Sequence, residues 1–195
     1  MRRFLFILSL LFIVGCGKSP EVLMNEGFAL YDAQDFTNAY PLLQKAFDKG
    51  LDDPELVARL AYCTINVAND PGLAIDLLRN SALKYPDYAR TYYVLGYIAH
   101  EFGPTEEGKN LQQAIGFTRK AISLDSTNWR FMDNLGMFYL QMDNFDSALV
   151  WFKAAQEIEP EYKELNVRIE QAEELKIEKA RLDSIAAVDS MTFKP

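Results

Sequence analysis

"NFDSALVWFKAAQEIEP", residues 144–160, sets Ala148, Phe152 and Ala155 four and three residues apart and then reaches Pro160. Residues so spaced lie on one face of an α-helix. Two tiny side chains with a bulky ring between them describe a helix shaped for close contact with a neighbour, and Pro160 marks where it stops. The pattern recurs along the chain. "DFTNAYPLLQKAF" at 35–47 aligns with "NFDSALVWFKAAQ" at 144–156, and two weaker copies keep the same frame. The chain divides into four contiguous units, 20–53, 54–88, 89–128 and 129–162, of 34, 35, 40 and 34 residues. A period of this length is the mark of a solenoid, in which each unit covers the apolar face of the one before.

The shared positions have a packing logic. Eighth in the four units stand Gly27, Ala61, Gly96 and Gly136. Glycine inside a helix costs about 1 kcal/mol against alanine, so three at one register predict tight helix contact. The pairs Ala39/Ala46, Ala74/Ser81, Ala114/Ala121 and Ala148/Ala155 keep a spacing of seven, two turns on one face, with Leu43, Leu78, Thr118 or Phe152 between them. Each unit is therefore read as two antiparallel helices, stopped by Pro160 in the fourth unit and by Pro86 in the second.

These residues carry a resemblance. The fourth unit has Leu135-Gly136, Tyr139, Ala148, Phe152, Ala155 and Pro160 where the tetratricopeptide repeat has its markers. The third has Leu95-Gly96, Ala114 and Ala121, with Ser126 in the place of proline; the first has Glu26 before Gly27 and Leu51 in the final proline place; the second lacks the glycine. The chain thus resembles a tetratricopeptide-repeat protein over residues 20–162. The resemblance implies an all-α fold, a right-handed α-solenoid of four helix-turn-helix units, whose first helices line a concave face. Two departures stand out. The inter-helix turn of the third unit, "EFGPTEEGKNLQQ" at 101–113, is enlarged around Gly103-Pro104, and Pro41 lies early in a second helix. Residues 163–187 read as one long capping helix with Leu165, Ile169, Ala172, Leu175, Leu182 and Ile185 on one broad side, before a flexible tail at 188–195.

The first sixteen residues, MRRFLFILSLLFIVGC, place two arginines before an apolar run that is too short to span a membrane, as in an export signal. Ile13-Val14-Gly15-Cys16 resembles a bacterial lipobox, with Ile13 in place of leucine. That resemblance implies cleavage after residue 15, a lipidated and palmitate-bearing Cys16, and a short linker, 16–19, before the first unit. Gly17, in place of the aspartate that retains some lipoproteins in the inner membrane, points to the outer membrane, facing the periplasm. Loss of Arg2 and Arg3 moves the formal net charge from −8 to −10, which argues against nucleic acid and against adhesion to anionic headgroups. Membrane attachment is then through lipid alone. Of the two cysteines only Cys63 is left as a thiol, read as a buried small hydrophobe.

No catalytic set emerges. The one histidine, His100, gives no histidine-based metal site; no phosphate loop or nucleophile elbow occurs; Asp52-Asp53 and Glu106-Glu107 read as solvated turn charge. No cofactor, metal or enzymatic activity is expected. In the family resembled, positions 2, 5, 9 and 12 of each unit face the groove. Here these are Glu21, Met24, Phe28 and Tyr31; Glu55, Ala58, Tyr62 and Ile65; Arg90, Tyr93, Tyr97 and His100; Arg130, Asp133, Met137 and Leu140. The groove so drawn is carried by Met24, Phe28, Tyr31, Tyr62, Arg90, Tyr93, Tyr97, His100, Arg130 and Met137. It suits an apolar peptide or protein segment anchored on rings and oriented by Arg90 and Arg130. Two other readings stay open: the tyrosines pack neighbouring first helices, or the last helix folds into the groove.

The expectation is a lipid-anchored scaffold of the cell envelope, similar in design to pilotins and to accessory subunits of assembly machines. A regulatory subunit of an envelope hydrolase and a lipoprotein that self-assembles through its last helix are the alternatives.

Overall fold

A computed structural model describes residues 17–104 and 108–192, with side chains through Val188. Cys16 and the apolar leader, Glu106-Glu107 and residues 193–195 lie outside the described residues. Nine helices and no strand are found among those described. They are α1 (Pro20–Asp32), α2 (Phe36–Asp48), α3 (Pro54–Ala68), α4 (Pro71–Lys84), α5 (Ala89–Phe102), α6 (Lys109–Leu124), α7 (Trp129–Gln141), α8 (Phe145–Ile158) and α9 (Lys163–Thr192). None of these is long and apolar enough to cross a membrane.

Local sequence fixes the helix starts. Ser19, Asp35, Asp53, Asp70 and Asn144 each accept a backbone N–H of the first turn, and proline opens α1, α3 and α4 directly after its cap. Each such cap contributes about 1 kcal/mol, and proline at this place gives up no helical bond. Asp53 is thus a cap, through the Leu56 N–H at 2.9 Å, where sequence alone gave only solvated turn charge. The turns inside three of the pairs repeat one device: Gln34, Asn69 and Asp143, each immediately before the next cap, adopt left-handed backbone with φ of 62°, 53° and 54°.

The third pair differs. Helix α5 runs to Phe102 and α6 begins at Lys109, after Gly108 in the left-handed conformation, so both ends of the 101–113 stretch read from sequence as turn are helical. Pro41 is accommodated five residues into α2, where its ring is exposed and one helical bond is forgone.

Within each pair the small residues do what their spacing predicts. Ala39, Ala46, Ala74, Ala114, Ala121, Ala148 and Ala155 are wholly buried, as are Leu43, Leu78 and Phe152 between them. A Cβ added at Gly27 would stand 2.5 Å from Leu43 Cδ2, one at Gly96 2.8 Å from Thr118 Oγ1, and one at Gly136 2.5 Å from the Phe152 ring. Ala61 replaces glycine in the second pair, and α3 and α4 are the least closely apposed partners of the four pairs.

Between pairs a second register takes over. The third, seventh and tenth residues of each first helix pack on the preceding second helix: Leu56, Leu60 and Cys63 in α3, Thr91, Leu95 and Ile98 in α5, Phe131, Leu135 and Phe138 in α7, all buried. In α9 the same places hold Leu165, Ile169 and Ala172, which join Phe152 and Ala155 in one apolar cluster. Helix α9 therefore closes the solenoid as the first helix of an absent fifth pair. In α1, the first described helix, these places are Val22, Glu26 and Ala29, and Glu26 pairs with Lys18 at 2.6 Å. Each helix packs chiefly on its neighbours in chain order, so stability is close to a sum of adjacent-pair interactions.

Beyond Ala172 the last helix outruns its partner. Lys176 pairs with Asp146 and Lys179 with Asp143, both at the start of the fourth second helix, and every described side chain from Ala180 to Val188 is exposed. The helix continues to Thr192 rather than ending at Ala187 as the sequence pattern indicated.

Gly136→Ala is expected to lower stability by about 1–3 kcal/mol, because a wholly buried ring must give way. Adding Phe152→Leu to that variant should cost less than the sum of the single changes, which urea denaturation of the four proteins measures. Gln34→Gly, relieving left-handed strain on an exposed side chain, should raise stability by about 0.5–1 kcal/mol in the same assay.

Candidate functional site

First helices meet one another through rings. Tyr31 of α1 lies 5.7 Å from Tyr62 of α3, and Tyr62 lies 5.3 Å from Tyr97 of α5. Tyr93 stacks obliquely on Phe131 of α7 at 4.9 Å, and His100 on Phe138 at 5.0 Å. Phe36 closes the near end, edge-on to both Tyr31 and Tyr62. A continuous aromatic floor thus runs across α1, α3 and α5 and into α7. Its rings on α1, α3 and α5 and Phe36 are half-buried, so each gives one side to a neighbour and leaves part of itself to solvent, whereas Phe131 and Phe138 are buried beneath Tyr93 and His100. Edge-to-face and tilted contacts of this kind each contribute about 0.5–1.5 kcal/mol beyond area burial, which makes the floor rigid.

A charged ladder runs beside the floor. The Arg59 guanidinium sits 4.4 Å over the Phe28 ring and 4.9 Å over that of Tyr31, and pairs with Asp32 at 2.6 Å and with Glu55. Glu55 also accepts from Arg90 Nε at 3.0 Å and from the Tyr88 hydroxyl. Arg90, read from sequence as a free orienting cation, is therefore committed to the unit before it. Arg130 is different: it is exposed, lies 4.5 Å over Trp129, and has no salt bridge among the described residues.

Polar groups border the rings. Tyr97 donates to Asn66 Oδ1 at 3.3 Å, and Asn134 donates to the Tyr93 hydroxyl oxygen at 3.0 Å. His100 lies 2.8 Å from both Glu101 and Gln141. Asp133 is buried, with Oδ2 held by Arg168 of α9 and Oδ1 without a partner among the described residues. Burial pushes the Tyr62 phenol up to about 12 and raises those of Tyr31, Tyr93 and Tyr97 as well. All four are neutral at physiological pH, apolar bodies with a polar tip. Burial likewise pushes the Cys63 thiol up to about 12, which makes it a packing group rather than a nucleophile.

Of the sequence-derived groove residues, Phe28, Tyr31, Tyr62, Tyr93, Tyr97 and His100 come together in this band. Met24 is half-buried at its first end and Met137 packs in the last core cluster. Ala58, Ile65 and Asp133, also at the nominal groove positions, are buried and present almost no surface. Sequence reasoning missed the sixth and thirteenth positions, which supply Arg59 and Asn134, and Asn66, Glu101 and Gln141. These lie seven apart on the same face, and the helical spacing of Glu55 and Arg59 was a usable signal. No cluster able to hold a metal ion is present among the described residues.

The sequence model of the Tetratricopeptide repeat matches residues 130–162, the fourth pair. Among solved structures the chain is similar to TTC0263, a thermophilic TPR protein of Thermus thermophilus, with a TM-score of 0.69, 22% identity and 85% of each chain covered. It is similar to MamA of Desulfovibrio magneticus RS-1, at TM-score 0.54, 23% identity, 74% of this chain and 77% of that one. YrrB, described as a TPR protein with an unusual peptide-binding site, gives 0.55 at 18% identity, over 78% of this chain and 74% of its own. No curated protein matches by sequence. The fourth pair matches the tetratricopeptide repeat by sequence, and the chain as a whole shares the fold of these solved tetratricopeptide-repeat structures.

Glu55→Gln keeps the shape of the ladder but removes the charge that Arg59 and Arg90 share. It is expected to lower stability by about 1–2 kcal/mol, with the loss shrinking at high salt, as urea titrations at two ionic strengths would record.

Proposed function

We propose that this protein is a non-catalytic scaffold of the bacterial envelope, tethered by lipid on Cys16, that holds a segment of another protein on its concave face. The observation that carries this reading is the aromatic floor built by Tyr31, Tyr62, Tyr97 and Tyr93 across successive first helices. Rings already packed against each other lose little freedom on binding, which is what a recognition surface needs. Apolar side chains of the partner would lie on the rings, while Asn66 and Gln141 would take its backbone N–H groups and donors. Arg130, exposed and without a salt bridge among the described residues, would select a partner with a carboxylate near that end.

The tether follows from the lipobox resemblance, and the linker is short. Three residues, Gly17 to Ser19, reach about 10 Å when extended, and Lys49, at the end of α2, holds the Lys18 carbonyl at 2.8 Å. A lipid at Cys16 would therefore keep the first pair against the membrane. The outer membrane, with the solenoid in the periplasm, is the location this reading favours. The YrrB comparison supports peptide binding only as a use to which this fold has been put.

Affinity purification after photo-crosslinking in intact cells is expected to recover one dominant protein partner. Tyr97→Asp and Arg130→Glu should each reduce its recovery about tenfold or more, and Arg130→Glu, at an exposed side chain, should do so while leaving thermal unfolding of the solenoid near that of the parent. Full recovery with both variants would remove the concave face from the account. Cys16→Ser should shift the protein from the membrane to the soluble fraction and abolish incorporation of labelled palmitate; unchanged fractionation would remove the tether.

A further inference from the structure

The opposite side of the solenoid carries a second surface. Between α4 and α6, floored by α5, lies a cleft of about 1170 Å³, against about 300 Å³ for the equivalent cleft between α2 and α4. It is open to solvent, and its lining is apolar apart from Gln113 and two cations, Arg79 and Lys120. Repeat register aligns Ala74 of α4 with Ala114 of α6, which sets Arg79 and Lys120 at nearly one level on facing walls. No acid lines it. Leu83 and Phe102 at its edge are 84% and 45% exposed, a high share for such side chains.

Gly116 points to what this cleft is for. Gly27, Gly96 and Gly136 have reasons inside the chain, since a Cβ at each would collide with a packed side chain. A Cβ at Gly116, in the middle of α6 and in the cleft wall, would meet nothing within 4 Å. A helical glycine weakens its helix, and nothing in the monomer requires this one. Gly116, with Gly72 and Ala82 on the other wall, leaves room for another backbone to come close. That favours a helix over an acyl chain, which would be better served by an enclosed tunnel.

The chain itself supplies a matching helix. Past Lys179 the end of α9 is exposed on all described sides, with Leu182, Ile185 and Val188 at 52%, 48% and 61%. At 3.6 residues per turn these three span an arc of about 120°. Residues 182–188 contain one charge, the acid Asp183, and no base. The cleft runs along α4 from Pro71 to Leu83, about 18 Å, and the stretch of α9 from Arg181 to Thr192 is about 17 Å. One rigid helix pinned to α8 through Lys179 cannot fold back to its own α4 and α6.

We propose that the cleft between α4 and α6 receives the end of α9 from a second copy, so that copies associate head to tail. Leu182, Ile185 and Val188 lie against Ile75, Leu95 and Phe117, and Asp183, on the opposite side of the helix from this arc, stays in solvent. The contact is heterologous, leaving one cleft and one helix end open on every dimer, so it extends with concentration. It does not use the concave face and is independent of the partner proposed there.

Sedimentation velocity on residues 17–195, which contain every described helix, tests this. The parent chain is expected to gain mass with concentration. Gly116→Leu, which fills the cleft without touching its own chain, and Ile185→Asp, which spoils the helix end, should each be monomeric with unchanged helical circular dichroism. Mixed one to one, they should form a species of two chains and nothing larger, because only one intact cleft and one intact helix end remain. Asp183→Lys, on the side of the helix turned away from the cleft, should associate as the parent does. A parent that stays monomeric, association that survives Gly116→Leu, a mixture that stays monomeric, or a monomer whose cleft binds a fluorescent long-chain fatty acid instead would each overturn the proposal.

Discussion

Phe152 can be wholly buried only because Gly136 offers no Cβ, and the same arrangement, Leu43 against Gly27 and Thr118 against Gly96, brings the two helices of three pairs within reach of each other. Everything larger depends on that approach. Helices held this near present the third, seventh and tenth residues of each first helix to the preceding second helix, and those contacts are the seams between pairs. A solenoid results because each seam leaves another of the same kind to be made, until Leu165, Ile169 and Ala172 of α9 make the last one. At the other end, in the first described helix, the same places hold Val22, Glu26 and Ala29, none of them buried.

The rings on the concave side follow from this spacing rather than causing it. Successive first helices stand at a distance that tyrosines can bridge, and Tyr62 touches Tyr31 on one side and Tyr97 on the other. The readings of these side chains as packing groups and as a ligand surface therefore describe the same atoms. Each ring is fixed by its neighbour on one side and available on the other. Glu55 performs the polar counterpart, joining Arg59 of its own helix to Arg90 of the next, so the face is tied by charge as well as by rings.

The fold was legible because its signal is repeated and steric. Alanines seven apart and a glycine at one register say the same thing in several units, and chance does not do that. The concave face was legible in part. The residues found lie at the places that the family's groove occupies, but Arg59, Asn66, Asn134 and Gln141 sit at places free of any packing rule, and their roles depend on partners in other units. The long helix was read correctly in kind, though its last turns lack the apolar spacing that would mark where it stops. The cleft between α4 and α6 was not legible, because the distance between second helices of adjacent pairs follows from the summed geometry of several seams. Gly116, a glycine out of register, was its only trace in the sequence.

One junction, between the second and third pairs, carries both surfaces. On its inner side stand the ring pair Tyr62–Tyr97 and the bond from Arg90 to Glu55; on its outer side the walls α4 and α6 stand apart over α5. The two surfaces thus stand back to back on a single seam, one on the side of α5 that faces α3 and the other on the side that looks outward between α4 and α6. A residue change at that seam has two addresses, and its effect has to be read on both.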